Sequence, residues 1–288
     1  MIETLKIEQS LGRAVAGISQ KPYPYRTSHR IDELDVALVD GTRLGLLIKD
    51  LRRSELDPEI QLAKPAFLYD PGREVEAYRM LANAGLGTPI CYDTGDHWLL
   101  LEKVQGVELW QIGELEAWVE AARWLARLHA HFATLMPASE RLVHYDAEYF
   151  ALWPDRVRRG NPDLARVVTS YGRVVEILSG IPATFVHGEF YASNVLVAGH
   201  RIAPVDWEMA GVGPGTLDLA ALVTGWGAEE RAAIIAGYGE VASETLDAAE
   251  LHLALQWLGW SPTWAPPPEH ARDWLADALA AAERLGLR

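Results

Sequence analysis

Residues 187–194 read His-Gly-Glu-Phe-Tyr-Ala-Ser-Asn, and residues 205–208 read Val-Asp-Trp-Glu. The first stretch places the carboxylate of Glu189 five residues before Asn194, and the second places the carboxylate of Asp206 twelve residues after Asn194. A site that accepts a proton and also holds a hard divalent cation needs these residue types together. The two stretches therefore give the first indication of both the fold and the chemistry.

The segment between the two stretches predicts a β-hairpin. Apolar runs at 195–197 and 202–205 flank Ala-Gly-His-Arg at 198–201, which is typical of two strands joined by a turn of three or four residues. If Asn194 pairs with Asp206, the turn is centred on residue 200 and both side chains lie at the open end. An amide oxygen and a carboxylate there suit Mg²⁺. The alternative is an ordinary hairpin with polar ends.

Composition and charge exclude several classes of protein. The chain has 288 residues and 49% hydrophobic residues, enough for one or two domains with a sizeable core. A net charge of −14 argues against nucleic acid and anionic membranes as partners and is compatible with a cationic small molecule. The single cysteine, Cys91, forms no internal disulfide, which favours a reducing, cytoplasmic location. We expect no signal peptide and no membrane span, because no apolar run approaches about 20 residues.

The first hundred residues favour a β-sheet with one main helix. Strand-like runs at 34–39 and 43–49 flank Asp40-Gly41, which is a strong hairpin signal. Further strands are predicted at 88–92 and 97–102. Asp70-Pro71 predicts the start of a helix, with aspartate as the N-cap and proline at the first helical position.

Helical periodicity dominates after a predicted hinge near residues 102–106. Apolar residues there recur at intervals of three and four, which indicates amphipathic helices packed on a common core. The predicted helices cover residues 114–133, 163–178, 216–224, 229–238, 247–257 and 270–287.

Lys49 ends an apolar strand, and Glu74 lies on the first helix after it. In kinase-type sites a strand lysine holds the nucleotide phosphates, and a helix glutamate fixes the lysine. The alternative is an edge-strand lysine that points into water.

The order Lys49, Glu74, hinge, Glu189, Asn194, Asp206 resembles that of the aminoglycoside phosphotransferase family, which comprises protein-kinase-like small-molecule kinases. The resemblance spans residues 30–225, and Gly-Thr-Leu-Asp-Leu-Ala at 215–220 looks like the segment that follows the magnesium ligand in this family. Choline, fructosamine and some homoserine kinases share the arrangement, so the acceptor stays open.

The resemblance implies an α+β, two-lobed protein-kinase-like fold. Residues 1–104 would form a small, sheet-rich N-terminal lobe with one main helix. Residues 105–288 would form a larger, mostly helical C-terminal lobe with the catalytic loop, the metal site and the substrate-binding helices. The cleft between the lobes would bind ATP or GTP with Mg²⁺.

The resemblance also implies roles for individual residues. Lys49 would hold the α- and β-phosphates, and Glu74 would position Lys49. Backbone groups from Glu102 to Val104 would contact the base. Asn194 and Asp206 would bind the metal. Glu189 would be the base that accepts the hydroxyl proton.

Two further residues would support the site. His187 would be structural, as expected for a histidine at a strand end. Asp218 would brace the catalytic loop; the alternative is a first-turn carboxylate favoured by the helix dipole.

Two features depart from the family pattern. No Gly-x-Gly-x-x-Gly precedes Lys49, and Thr27 and Ser28 are the candidates for phosphate contact in the segment 23–30 that replaces it. Glu189 stands where the family has aspartate, which moves the carboxyl group by about 1.5 Å. A misplacement of that size can cost ~10²-fold in rate.

The sequence thus predicts a phosphotransferase that moves the γ-phosphate to a hydroxyl of a small molecule, such as an aminoglycoside, an amino sugar or an amino alcohol. The alternative is a catalytically inactive relative that binds a nucleotide or a metabolite. A protein kinase is disfavoured, because the eleven residues between Asp206 and Asp218 are too few for a peptide-docking segment.

Aromatic and acidic residues in the helical part suit a cationic or ring-bearing acceptor. The alternative is that the tryptophans belong to the core and the carboxylates to the surface. These residues are Trp153, Trp226, Trp257, Trp260, Trp264 and Trp274, with Glu140, Asp146, Glu148, Asp155 and Glu208.

Overall fold

The computed structural model describes residues 4–24, 29–56, 61, 64–158, 161–260 and 272–288. The predicted phosphate-contact residues Thr27 and Ser28 lie outside this part of the chain, as does Trp264.

The N-terminal part contains an antiparallel sheet of five strands in the order β1-β2-β3-β5-β4. Helix α1 precedes the sheet, and helix α2 lies between β3 and β4 in the chain. The bounds are α1 Thr4–Leu11, β1 Val15–Pro22, β2 Arg30–Leu38, β3 Arg43–Asp50, α2 Pro71–Leu81, β4 Cys91–Thr94 and β5 Trp98–Glu102.

Local sequence explains these elements. Every second side chain of β2 from Asp32 to Leu38 is buried, because one face of the sheet covers a small core with α1. The turn between β2 and β3 contains Gly41 with φ of 86°, a left-handed conformation that suits glycine. At the start of α2, the Asp70 carboxylate accepts a hydrogen bond from the Gly72 amide at 2.8 Å, as the N-cap prediction requires.

The part after β5 is mostly helical and holds the larger core. Its helices are α3 Leu115–Thr134, α4 Ala147–Arg158, α5 Ala165–Ser170, α6 Gly172–Ser179, α7 Thr216–Val223, α8 Ala228–Tyr238, α9 Ser243–Trp260 and α10 Trp274–Arg284. Two small sheets complete it, in the orders β10-β9-β6 and β7-β11-β8. Their strands are β6 Val107–Glu108, β7 Val143–His144, β8 Ala183–Val186, β9 Val195–Ala198, β10 Arg201–Pro204 and β11 Gly211–Pro214.

We call the part up to β5 the N-terminal lobe and the part after it the C-terminal lobe. The predicted division between residues 104 and 105 falls just after β5 and stays a prediction. Within the described residues, no helix has both the length and the apolar character that a membrane span requires.

One predicted helix is wrong as a single element. Residues 163–178 form a 3₁₀ turn followed by α5 and α6, which are separated at Tyr171. Gly172, a weak helix former, follows the break. The Tyr171 side chain is buried, and its hydroxyl lies 2.7 Å from His252 Nδ1 on α9. Helices α1 and α4 and strands β1, β6, β7, β8 and β11 were not predicted. Helix α4 carries an internal proline, Pro154, that obscures its periodicity.

The register of the β9–β10 hairpin also differs from the prediction. Val195 pairs with Pro204 and Ala198 pairs with Arg201, so the loop has two residues rather than three or four. Asn194 therefore lies opposite Val205, whose amide donates to the Asn194 carbonyl at 2.9 Å. The expected pairing of Asn194 with Asp206 is wrong by one residue, because Gly199, with φ of 61°, closes the turn earlier.

Candidate active site

The chain turns sharply at Asp206, immediately after the hairpin. Asp206 has φ of 64° and is the one non-glycine residue with positive φ in the described part of the chain. Aspartate tolerates this left-handed conformation better than most residues, and such conformations are concentrated at functional sites. The turn directs the chain away from the hairpin while leaving Asp206 next to its open end.

Lys49 joins the two lobes through its ammonium group. Its Nζ lies 2.8 Å from Glu74 Oε2 on α2 and 2.6 Å from Asp206 Oδ1. The side chain is 7% exposed, so the alternative of a lysine that points into water is wrong. Burial alone would lower the Lys49 pKa, but the carboxylates of Asp206 and Glu74 raise it above its ordinary value. The lysine is therefore charged in the cleft.

The loop between β8 and β9 is held by Asp218, which is buried at the start of α7. Its carboxylate accepts hydrogen bonds from the amides of His187 and Gly188 at 2.7 and 2.8 Å. His129 Nε2 lies 3.2 Å from the same carboxylate. These contacts fix the backbone just before Glu189.

His187 is buried beside the loop and bridges it to the hairpin. Its Nε2 lies 2.9 Å from the Val205 carbonyl, and its Nδ1 accepts from the Glu189 amide at 3.3 Å. Burial lowers the His187 pKa, in keeping with a neutral ring that donates through Nε2. The ring therefore links the residue before Asp206 to Glu189.

Glu189 and Asn194 are connected through the backbone of the loop. The Glu189 carbonyl accepts from the Tyr191 amide at 2.7 Å and from Asn194 Nδ2 at 3.0 Å. No hydrogen bond joins the Glu189 carboxylate to another described residue. Burial raises the pKa of Glu189 to about 8, and the charge of Glu208 acts in the same direction. A carboxyl group with a pKa near neutrality is suited to proton exchange.

The donor set of Asn194 and Asp206 fits a magnesium ion. The Asn194 amide nitrogen is used by the Glu189 carbonyl, which leaves the amide oxygen as the available ligand. Among the described residues, no three His, Cys, Asp or Glu side chains are grouped to hold a metal. A cation here would take further oxygen ligands from phosphates and water, as Mg²⁺ does.

The segment after β5 offers a free backbone donor. The Glu102 amide donates to the Ile90 carbonyl, and the Lys103 amide donates to the Gly45 carbonyl. Within the described residues, the Val104 amide has no such partner. Of the three amides from Glu102 to Val104, that of Val104 is therefore the one left to contact a base.

The side chain of Glu102 forms an ion pair with the C-terminal lobe, separately from the contacts of its backbone. It forms a two-pronged ion pair with Arg201 of β10, with N···O distances of 2.6 and 2.7 Å. Arg201 also donates to the carbonyls of Gly87 and Thr88, at 2.7 and 3.0 Å. We call these contacts the Arg201 clasp. The clasp ties the segment after β5 and the loop before β4 to the hairpin that precedes Asp206.

Sequence reasoning missed a second buried lysine in the cleft. Lys64 Nζ lies 2.6 Å from Glu208 Oε2, and His29 Nε2 lies 3.4 Å from the same atom. Burial would raise the Glu208 pKa, but the charge of Lys64 and the nearby His29 ring lower it well below its ordinary value. The position of Glu208, two residues after Asp206, was a signal that could have identified this cluster.

The aromatic residues divide into two groups. Trp226 packs edge-on against Trp118 in the core, with ring centroids 4.9 Å apart. By contrast, Trp257 donates through Nε1 to the Tyr191 hydroxyl at 2.5 Å and stacks on Trp274 at 5.4 Å. Tyr191 follows Glu189 by two residues, so this second group lies beside the loop.

Two other tryptophans adjoin this group. Trp260 packs near Trp257, with ring centroids 6.2 Å apart, and stacks on buried Trp153 at 6.1 Å. Of the predicted acidic residues, Glu208 is half-buried next to Asp206, whereas the other four are exposed: Glu140, Asp146, Glu148 and Asp155.

Solved structures with the same architecture cover nearly the whole chain. The choline kinase LicA from Streptococcus pneumoniae has a TM-score of 0.64 at 13% identity, covering 98% of this chain and 97% of that one. A putative fructosamine-3-kinase from Thermobifida fusca YX-ER1 has a TM-score of 0.62 at 16% identity, covering 98% and 97%. A streptomycin–ATP–APH(2")-IIa ternary complex has a TM-score of 0.55 at 14% identity, covering 99% and 97%.

These structural similarities confirm the predicted two-lobed, protein-kinase-like α+β fold. A search of curated protein sequences gave no match. The model of the phosphotransferase enzyme family matches residues 62–252, which is more than half of the chain. This match also confirms the predicted class of enzyme, a small-molecule kinase that transfers phosphate to a hydroxyl acceptor. With the fold, the cleft and the family model in agreement, the chain belongs to the phosphotransferase enzyme family, the aminoglycoside phosphotransferase-like kinases.

Proposed function

We propose that the protein transfers the γ-phosphoryl group of Mg-ATP to a hydroxyl of a small, cationic or ring-bearing molecule. The observation that carries the proposal is the position of Lys49, whose ammonium group lies between Glu74 and Asp206. This is the arrangement that a kinase-type site needs before a nucleotide enters.

Each residue of the cleft would have a separate role in binding the nucleotide and the metal. Mg²⁺ would bind Asp206 and Asn194 and neutralise charge on the phosphates, and Lys49 would then pass from Asp206 to the α- and β-phosphates. Glu74 would keep Lys49 in place, and the backbone from Glu102 to Val104 would contact the base.

Glu189 would receive the acceptor's hydroxyl proton. Its carboxylate has no hydrogen bond to another described residue, and Asp218 and His187 hold the backbone that leads to it. Most of the barrier in phosphoryl transfer is lowered by positioning and charge stabilisation, so this fixed loop supports the proposal.

The aromatic group around Tyr191 supports the proposed class of acceptor. Tyr191, Trp257 and Trp274 are half-buried and contact one another in series, and Tyr191 belongs to the same loop as Glu189. Aromatic faces attract cations and pack against rings. The proposed acceptor is therefore an amino alcohol, an amino sugar or an aminoglycoside-like molecule.

Two measurements test the proposal. Mg-ATP at millimolar concentration should raise the Tm, because a ligand that binds only the folded state stabilises it. Consumption of ATP and of GTP should then be measured with a panel of aminoglycosides, macrolides, amino sugars and amino alcohols. Absence of a Tm shift with either nucleotide in the presence of Mg²⁺ would contradict the proposed function.

A further inference from the structure

Lys64 and Glu208 form an ion pair that repeats the pairing of Lys49 with Asp206. Both lysines are buried, and each Nζ lies 2.6 Å from its carboxylate. The two carboxylates are separated in the chain by Trp207 alone, which is buried. Each carboxylate beside the metal site is therefore neutralised by its own lysine.

The choice of lysine at these two positions is informative. The chain has five lysines and twenty-one arginines, and the buried lysines of the described residues are Lys49 and Lys64. Arginine is the usual residue for a permanent ion pair, because its planar group binds a carboxylate in a fixed geometry. Lysine carries a compact charge on a flexible stem and can exchange one oxygen ligand for another.

Lys64 lies close to the ion pairs of Lys49. Lys64 and Glu208 line a small cavity together with Glu74, which is the partner of Lys49. Glu208 follows Asp206 by two residues, so the Lys64 ammonium group is held near the proposed metal ligand. A phosphate bound beside Asp206 would therefore lie close to both lysines.

We propose that Lys64 is a second phosphate-binding lysine, which leaves Glu208 to bind the γ-phosphoryl group of the nucleotide. The proposal rests on the proposed function. In the reaction, the acceptor oxygen forms a bond to the γ-phosphorus while the bond to the β–γ bridging oxygen breaks, and the hydroxyl proton passes to Glu189. Lys64 forms no covalent bond and places its charge against the γ-phosphoryl oxygens, where charge is spread in the transition state.

The test compares nucleotides with and without the γ-phosphate. Dissociation constants for Mg-ADP and for the Mg complex of a non-hydrolysable ATP analogue should be measured by calorimetry for the wild type and Lys64→Met. We expect Lys64→Met to lose roughly ten- to hundredfold in affinity for the ATP analogue, the range of a hydrogen bond to a charged group. Affinity for Mg-ADP should change by less than about threefold, because ADP lacks the group that Lys64 binds.

Two further variants separate this effect from loss of an ion pair. Arg231→Met removes a partly buried arginine of α8 whose guanidinium group lies 2.5 Å from the Glu250 carboxylate. This control should leave the ratio of the affinities for Mg-ADP and the ATP analogue unchanged. Lys64→Gln keeps a donor for Glu208 and removes the charge, so the same loss is expected even if Lys64→Met fails to fold.

The outcomes distinguish the inference from the proposed function. A wild type that binds neither nucleotide would contradict both. A wild type that binds both, with an unchanged affinity ratio in the Lys64 variants, would contradict this inference alone.

Discussion

Glu189 carries one methylene more than the aspartate usual at this position in the family that the chain resembles. Its loop is fixed on both sides, since Asp218 accepts two backbone amides before it and Asn194 binds its carbonyl. A loop held in this way cannot move freely to compensate for a shorter side chain. We therefore expect catalysis to depend on the length of the glutamate side chain.

Glu189→Asp is expected to lower kcat. The shorter side chain would end about 1.5 Å from the position of the present carboxylate, and a shift of that size can cost ~10²-fold in rate. Steady-state kinetics with the best acceptor from the screen would measure the change, with the KM for nucleotide nearly constant. A kcat at or above that of the wild type would show that the loop keeps the geometry of an aspartate enzyme.

Asp206→Asn is expected to abolish transfer while leaving the fold intact. Asparagine tolerates the left-handed backbone of Asp206, whereas alanine at φ of 64° would add about 1 kcal/mol of strain. The variant removes the charge that would bind Mg²⁺ and that now pairs with Lys49. Circular dichroism and activity assays would test this, and near-full activity would remove the metal assignment.

Helix α9 depends on a buried histidine at its centre. His252 is fully buried, with Nδ1 2.7 Å from the Tyr171 hydroxyl and the rings of Tyr149 and Phe150 of α4 packed against it. Burial lowers the His252 pKa from its ordinary 6.5 to about 3. The helix thus joins α4 to the break between α5 and α6 through a neutral ring.

Acid should destabilise this junction. Because the folded-state pKa is depressed, the unfolded chain binds more protons below pH 6.5, and stability is lost as pH falls from 6.5 toward 3. At pH 5, protonation of His252 in the unfolded chain lowers the unfolding free energy by about 2 kcal/mol. His252→Gln should therefore show a smaller fall in unfolding free energy between pH 7.5 and 5, measured with urea. Equal falls in both proteins would exclude His252 as the acid-sensitive group.

Strongly patterned elements were predictable from the sequence, and elements fixed by distant contacts were not. The apolar periodicity predicted α3, and Asp70-Pro71 predicted the start of α2, because both patterns are formed by residues close together in the sequence. The break at Tyr171 and the two-residue turn at Gly199 depend on a partner 81 residues away and on backbone geometry, respectively. Motif order predicted that Glu74 pairs with Lys49, as the structure places them, whereas the roles of the site residues stay predictions. Lys64 was not predicted, because the position of Glu208 after Asp206 is a signal but no pattern near Lys64 marks it as the partner.

At the scale of the whole molecule, the Arg201 clasp connects the two lobes at the back of the cleft. Arg201 binds the Glu102 carboxylate and two carbonyls of the N-terminal lobe. It lies in the hairpin that leads to Asp206, so one side chain joins the segment proposed to contact the base to the end of the hairpin proposed to bind the metal.

Arg201→Met is expected to raise the Kd for Mg-ATP several-fold and to lower the unfolding free energy by about 1–2 kcal/mol. Hydrogen exchange should increase at residues 86–90 and 102–106 more than in α3. The matched control is Arg123→Met, which removes an exposed arginine paired with Glu116 and should cost below about 1 kcal/mol. Equal effects in both variants would show that the clasp does not position the hinge.

The lysine side chains are confined to the N-terminal part of the chain, so the reactive side-chain amines of the protein are on one side of the molecule. All five lysines precede residue 104, so no side-chain amine is present in the lobe that holds Glu189 and Asn194. Lys6 and Lys21 are exposed, whereas Lys49 and Lys64 are buried in ion pairs that withhold their nucleophilic amines. Acylating reagents should therefore attach dyes or solid supports to the N-terminal lobe, so that immobilised molecules share one orientation, with the proposed acceptor-binding face outward.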